Sequence, residues 1–328
     1  MRKLIVYPNY SKGGVTTVIR GRASNEPATT FDAIFLYDRG GAGSLDQFPN
    51  VNVRVVRPDR VDTYLKFITS QYDYDEISIL SLPKVANKLL ERDDLAVNYE
   101  IHSSDMKIVG GELEQLQVDR LSLLYTPSSQ MVDRLTQLVP KRLRPRLQIR
   151  ENLVDHTTFR PDGDIRVNAC WADVSIPLVW VGRFDEGKGY LHVPRILAQL
   201  PENYGITVVV SLESDPERFA KFLAECDALG VRSRARVFMD LDPEDIASLY
   251  RSAAEHGGAF LSTSLMESFG YAVREALACG LRVVAYSLPV FKSVSNTNLT
   301  LVPIGDVHGM SAAIASSTSQ NMWNRQLI

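Results

Sequence analysis

The chain is poor in cysteine, with Cys170, Cys226 and Cys279 far apart and odd in number. That excludes a disulfide framework, and the apolar neighbours of each fit a reduced, cytoplasmic protein. No Cys/His spacing fits a zinc site, and no metal is expected. No apolar run approaches the ~20 residues that a membrane helix needs. The basic start, MRKLIVYPNY, carries an apolar run of only Leu4 to Tyr7, too short for a secretory core and readable as a buried first strand. Charge of one sign is also missing. The net charge is −3, too balanced for a dedicated nucleic-acid binder.

What is present is globular: 328 residues, 45% hydrophobic and 23% charged, enough for two domains. The halves differ in charge. Residues 1–150 hold 21 Lys+Arg against 18 Asp+Glu (+3), and residues 151–328 hold 15 against 21 (−6). Strand-like runs alternate with helical patterns in both halves. KLIVY, AIFLY, VNVRVV, ISIL and LAVNYEIH read as strands of the first half, and IPLVWVGRF, ITVVVSL, ARVFM, GAFLSTS and LRVVAYS as strands of the second. Helices are expected between them, including 61–71, 84–94, 113–121, 242–253 and 271–280. This βα order implies α/β architecture with two doubly wound parallel sheets, whose ligands bind at the carboxyl ends of strands. The pattern breaks near NLVDHTTFRPDGD, which divides the chain into domains 1–155 and 156–328.

Two segments of the second half carry chemistry. The first is Glu267-Ser-Phe-Gly-Tyr-Ala-Val-Arg-Glu275, which follows a strand and opens a helix. Backbone N–H groups from Ser268 to Tyr271 at such a helix start make a phosphate or oxyanion site. A carboxylate accepts paired hydrogen bonds, which suits vicinal hydroxyls of a sugar or ribose. Glu275 lies about two turns on from Glu267. It sits in a helix that is apolar nearly all round, where an idle charge is costly. The second is Val181-Gly-Arg-Phe-Asp-Glu-Gly-Lys-Gly189, in which Arg183 and Lys188 bracket a glycine loop at a strand end. Two cations there would stabilise a departing diphosphate. Alone this loop is equally a charged turn, with Asp185 and Glu186 as local partners.

Together these segments resemble the two signature regions of the retaining glycosyltransferases of family four, glycosyl transferases group 1, which have the GT-B fold. Glu267 and Glu275 match the family's E-x7-E pattern, and residues 181–189 its arginine-lysine loop. Gly13-Gly14 resembles the loop that closes over the donor, and IHSS (101–104) the strand end that bears the active-site histidine. Tyr125–Ser128, Asn152–Asp155 and Phe159–Pro161 resemble the segments leading into the second domain. The resemblance implies two Rossmann-like domains facing across a cleft: an acceptor-side domain, 1–155, and a nucleotide-sugar domain, 156–328, whose last segment packs back on the first. It implies that Arg183 and Lys188 hold the diphosphate and Glu275 the ribose. It places Glu267, Phe269 and Gly270 on the donor sugar, with Tyr271 and Gly13-Gly14 in the donor site and His102 opposite. Met239 and Leu241 fall beside the expected base pocket. Met239 and Ser211 stand where the family usually has glycine, and Leu153 where it has the glycine of Asn-Gly.

The implied activity is retaining, metal-independent transfer of a hexosyl unit, with a UDP- or GDP-linked donor expected before an ADP-linked one and no other cofactor. The acceptor is open: a glycan, a lipid-linked sugar, a small molecule or a modified base of DNA. A noncatalytic sugar-nucleotide module is the rival of another class. On residues alone, His102 is as readily a satisfied polar group at a strand end. The run Lys141, Arg142, Arg144, Arg146 reads first as a solvated connector, with contact to an anionic membrane surface as the sharper reading. Asp240 and Asp242 read as a loop residue and a helix cap rather than a metal-binding pair.

Overall fold

The chain separates into two compact units, Met1–Asp155 and His156–Ile328. The computed structural model describes residues 1–211 and 215–325, with side chains as far as residue 316 in the closing helix.

The first unit is a seven-stranded parallel sheet in the order β3-β2-β1-β4-β5-β6-β7. Its strands are β1 (Arg2–Tyr10), β2 (Thr30–Asp38), β3 (Val51–Val55), β4 (Glu76–Leu80), β5 (Val97–Glu100), β6 (Leu124–Thr126) and β7 (Leu147–Ile149). Between them run α1 (Gly14–Asn25), α2 (Val61–Gln71), α3 (Pro83–Leu89), α4 (Met106–Gln115) and α5 (Ser129–Thr136). Leu4, Val6, Ile77, Ile79, Val97 and Tyr99 bury one face of the sheet under α2 to α5. Ile5, Phe31, Ala33 and Phe35 bury the other with Val15 and Ile19 of α1. Continuous burial on both faces is what makes these strands unbroken apolar runs.

The second unit repeats the plan with six parallel strands in the order β10-β9-β8-β11-β12-β13. These are β8 (Ile176–Val181), β9 (Tyr204–Val210), β10 (Ala235–Met239), β11 (Ala259–Ser262), β12 (Arg282–Tyr286) and β13 (Leu299–Val302). Its helices are α6 (His192–Leu197), α7 (Pro216–Ala228), α8 (Pro243–Glu255), α9 (Tyr271–Ala278), α10 (Pro289–Lys292) and α11 (Val307–Arg325). In each sheet the order reverses beside the first strand, at β1/β4 and at β8/β11, the crevice where α/β folds bind ligands.

Two helices differ from the sequence expectation. The helix expected over 113–121 is α4, which starts at Met106 because the Asp105 carboxylate accepts from the Lys107 amide at 2.9 Å. It continues through Gly110-Gly111 and stops at Gln115, and 118–120 is a single 3₁₀ turn. The helix expected over 84–94 ends at Leu89, and the charges of 91–94 pair near the surface, Glu91 with Lys88, Arg92 with Asp94 and Asp93 with Arg120. Strands β7 and β13 and helix α11 were not legible as elements. The described part of α11 packs on α6, β12 and β13, and the expected return of the last segment to the first domain falls on side chains outside the described residues.

One glycine explains how the first unit closes. A Cβ on Gly21 of α1 would lie 2.1 Å from the Leu153 carbonyl oxygen, so only glycine admits the 152–155 segment against the helix. Next to it, Arg20 meets Asp155 at 3.2 Å with both side chains buried.

Candidate functional site

In the second unit, neighbouring strands β8 and β11 both end at the point of reversal, and each runs into one of the two signature segments. The loop after β8 is anchored by Phe184. Its ring packs on Phe222 at 5.0 Å, Tyr190 at 5.1 Å and Trp180 at 5.9 Å. Asp185 accepts from the Lys188 amide at 2.9 Å and closes one 3₁₀ turn, Glu186–Lys188. Gly189 ends that turn at φ +58°, where a Cβ would lie 2.4 Å from the Thr263 carbonyl oxygen. The loop is therefore pressed against the end of β11.

The contact is specific. The Thr263 hydroxyl accepts from Trp180 Nε1 at 3.0 Å and donates to the Lys188 carbonyl at 2.8 Å. The Leu265 amide donates to the Gly187 carbonyl at 2.7 Å. Lys188 Nζ donates to Glu267 Oε1 at 2.5 Å, and the Ser264 hydroxyl donates to the same oxygen at 2.8 Å. The Lys188 and Glu267 side chains remain 25% and 15% exposed, so the pair is reachable from solvent. Arg183 is 60% exposed, with Asp185 as its ion-pair partner at 3.4 Å among the described residues. The structure thus brings Lys188 and Glu267 together and leaves Arg183 extended on the same loop.

Gly270 starts α9 at φ +78°, and a Cβ there would meet Phe291 Cε1 at 2.3 Å. Phe269 is buried, with the Tyr271 ring at 4.8 Å edge-on and the Arg274 guanidinium 4.2 Å over its own ring. Glu275 lies on α9 among buried Val273, Ala276 and Leu277 and is itself only 8% exposed. Its charge acts on two neighbours. Burial and then Glu275 push the Tyr250 hydroxyl well above its ordinary range. Burial pushes the Cys279 thiol up to about 12, with Arg251 opposing and Glu275 assisting.

Met239 ends β10 half exposed, and the residue after it, Asp240, takes φ +58°. The left-handed position therefore falls one residue after Met239. Leu241 is half-buried beside it. Asp242 holds the N-cap position of α8, but its side chain makes no capping bond. Among the described residues no group of three or more His, Cys, Asp or Glu is placed to hold a metal ion.

In the first unit, Gly13 and Gly14 open α1, Gly14 at φ +47°, and a Cβ on either would meet nothing within 4 Å. His102 follows β5, and its Nε2 lies 3.0 Å from Glu100 Oε2. Glu100 is buried and gripped from two more sides. Arg22 donates to both its oxygens at 3.0 and 2.6 Å, and Arg150 donates at 2.9 Å. Burial pushes the Glu100 carboxyl up, but Arg22 and His102 outweigh it and hold it well below the usual range. A polar crevice of about 110 Å³ lies against this network, at the starts of β1 and β4. Its charges balance, with Lys3, Arg22 and Arg150 against Glu26, Glu76 and Glu151.

The basic run forms a 3₁₀ stretch, Lys141–Arg146. Arg142 donates twice to Asp119, at 3.1 and 3.0 Å, and Arg146 donates to the Asp119 and Leu121 carbonyls. Half of the run is therefore occupied locally, and it has the character of a connector. No described helix is long and apolar enough to cross a membrane.

Three contributors were not visible in the sequence as site residues: Thr263, Ser264 and Glu100. Each has a short polar side chain or a carboxylate at or just past a strand end. Glu100 alone left a trace, as a charge inside the apolar run LAVNYEIH, where it needs a partner.

The two parallel-sheet units are those of the GT-B fold. The chain superposes on sucrose-phosphate synthase from Thermosynechococcus elongatus with a TM-score of 0.76 at 18% identity, over 98% of this chain and 91% of that one. It superposes on Anabaena HepE in complex with UDP-glucose with a TM-score of 0.78 at 17% identity, over the same shares. Residues 174–327, within the second unit, match the family model of the glycosyl transferases group 1. Curated relatives agree. A 110-residue stretch, 34% of the chain, is 27% identical to a probable sucrose-phosphate synthase of Thermosipho melanesiensis. A 152-residue stretch, 46% of the chain, is 30% identical to one of the subunits of the phosphatidylinositol N-acetylglucosaminyltransferase of Homo sapiens. These stretches span 26% and 29% of those two proteins.

Proposed function

We propose that the chain is a retaining glycosyltransferase that moves a hexosyl unit from a UDP- or GDP-linked sugar to an acceptor hydroxyl. The observation that carries this reading is the Lys188–Glu267 pair, which joins the two signature loops at the strand-order reversal. Lys188 and Arg183 take the diphosphate, Glu267 and the Phe269–Gly270 backbone the sugar, and Glu275 the ribose. Tyr271 completes the donor site of the second unit, and Met239 and Leu241 border the base. HepE, of like fold, is described with UDP-glucose, and starch synthase IV from Arabidopsis thaliana with ADP, which supports a nucleotide-sugar donor.

The bond from the anomeric carbon to the leaving phosphate oxygen breaks first, giving an oxocarbenium-like state. The acceptor oxygen bonds to the same face of that carbon, and its proton passes to the released phosphate oxygen. The diphosphate gains negative charge as the bond breaks. Arg183, Lys188 and the start of α9 stabilise that charge where it develops. The acceptor is a glycan, a lipid-linked sugar or a small molecule. The test is release of free nucleotide from UDP-, GDP- and ADP-linked sugars. Release by the native chain that disappears in Lys188→Ala supports the reading. Binding without release under every acceptor offered would leave a sugar-nucleotide module instead.

A further inference from the structure

We infer that Glu100 is a positioning residue that fixes the tautomer of His102, making Nδ1 a hydrogen-bond acceptor for a substrate hydroxyl. Glu100 is 1% exposed in the middle of an α/β unit, where a charge is retained only if it is paired. It is paired three times, by Arg22 from α1, by Arg150 from beyond β7 and by His102 two residues on. Arg150 is itself held, over the Tyr125 ring at 3.6 Å and against Glu76 and Ser78 of β4. The two arginines keep Glu100 ionised, and an ionised carboxylate only accepts hydrogen bonds.

The consequence for His102 follows from valence. Its Nε2 faces that carboxylate at 3.0 Å and so carries the proton. In the neutral ring Nδ1 is then a bare lone pair. Nδ1 is buried and, among the described residues, has no hydrogen-bond partner. A buried polar atom left unmatched is costly, and a hydroxyl supplied by substrate would recover that cost. Glu112 of α4 interacts with the ring through its charge and accepts from the Tyr99 hydroxyl at 2.9 Å, and Arg134 of α5 donates to the carbonyl of Ser104, two residues on. Neither makes a hydrogen bond to Nδ1. The arrangement presents an acceptor, and a sugar hydroxyl is the donor chemistry that fits the transferase reading on which this inference rests.

The test has two readouts. Two-bond proton–nitrogen correlations on histidine-labelled protein report which ring nitrogen carries hydrogen, with His102→Gln identifying the signal among the five histidines. With the ring neutral, the native chain is expected to show the Nε2–H pattern. An Nδ1–H pattern overturns the inference, and this readout needs no change at Glu100. Glu100→Gln, whose amide also donates, is expected to populate the Nδ1–H form. It is also expected to lower kcat by at least about tenfold, with donor KM within about twofold. A variant that changes turnover without changing the tautomer, or the tautomer without turnover, overturns the positioning role. A native chain with no turnover on any nucleotide sugar would sink the transferase reading, and the correlation pattern would still decide the Glu100–His102 pairing.

Discussion

Lys188 Nζ donates to Glu267 Oε1 at 2.5 Å, joining two loops that are 79 residues apart in sequence. Neither group is a free charge. The pair is partly exposed, with Ser264 and Thr263 bracing it from the β11 side. A diphosphate arriving at Lys188 would meet a cation already aimed, with little reorganisation left to do at the moment of reaction.

Lys188→Ala and Arg183→Ala should therefore act mainly on turnover. Loss of one charge-stabilising donor at a reacting group costs about 10²–10³-fold in kcat. Each variant should lose nucleotide release on that scale while calorimetric donor affinity changes by far less. Unchanged turnover in either would remove that residue from the mechanism.

Glu275, proposed to hold the nucleotide end and not the bond that breaks, should behave differently. Glu275→Gln keeps the shape of a side chain that is only 8% exposed, so the fold should persist. Loss of a charged hydrogen bond of about 1.5–3 kcal/mol predicts donor affinity weakened by roughly tenfold or more. A dissociation constant equal to that of the native chain would place the ribose elsewhere.

Two glycines should prove sensitive and a third tolerant. Gly21→Ala puts a Cβ 2.1 Å from the Leu153 carbonyl oxygen, and Gly270→Ala puts one 2.3 Å from Phe291 at φ +78°. Forcing atoms into packed surroundings costs about 1–3 kcal/mol, so both should lower the urea midpoint measurably. Gly13→Ala, with nothing within 4 Å of its Cβ, should stay within about 0.5 kcal/mol of the native chain.

Acid should loosen the first unit through Glu100. Its carboxyl titrates well below its ordinary value of 4.5, because Arg22 and His102 outweigh the burial that pushes it up. A group depressed in the folded state contributes stability that is complete above its unfolded pKa and is lost as pH falls through the folded one. The native chain should therefore lose stability steadily below about pH 4.5, and Glu100→Gln should lose less over the same range. Parallel curves from urea melts at each pH would show that Glu100 carries none of that dependence.

The parts of this architecture that were legible in sequence are those set by local pattern. IPLVWV and ITVVV are long enough apolar runs to be strands whatever surrounds them, and they became β8 and β9. Helix α4 was misplaced because Gly110-Gly111 reads as a break. Each glycine costs only about 1 kcal/mol in a helix, which the Asp105 cap and the packing of Val109 offset. Arg183, Lys188, Glu267 and Glu275 could be picked out from their spacing, but their meeting depends on β8 lying beside β11. The Glu100 network was out of reach for the same reason, since Arg22 and Arg150 lie 78 and 50 residues away. Short hydroxyls such as Thr263 and Ser264 carry no pattern until a neighbouring loop is known.

The central claim is that the second unit holds a nucleotide sugar between the loops after β8 and β11. Crystals soaked in turn with UDP-, GDP- and ADP-linked sugars test it most directly. The account predicts density for at least one of them, with diphosphate oxygens in hydrogen-bond range of Arg183 and Lys188 and the ribose hydroxyls on Glu275. A nucleotide bound away from these side chains, or none bound at all, would contradict it.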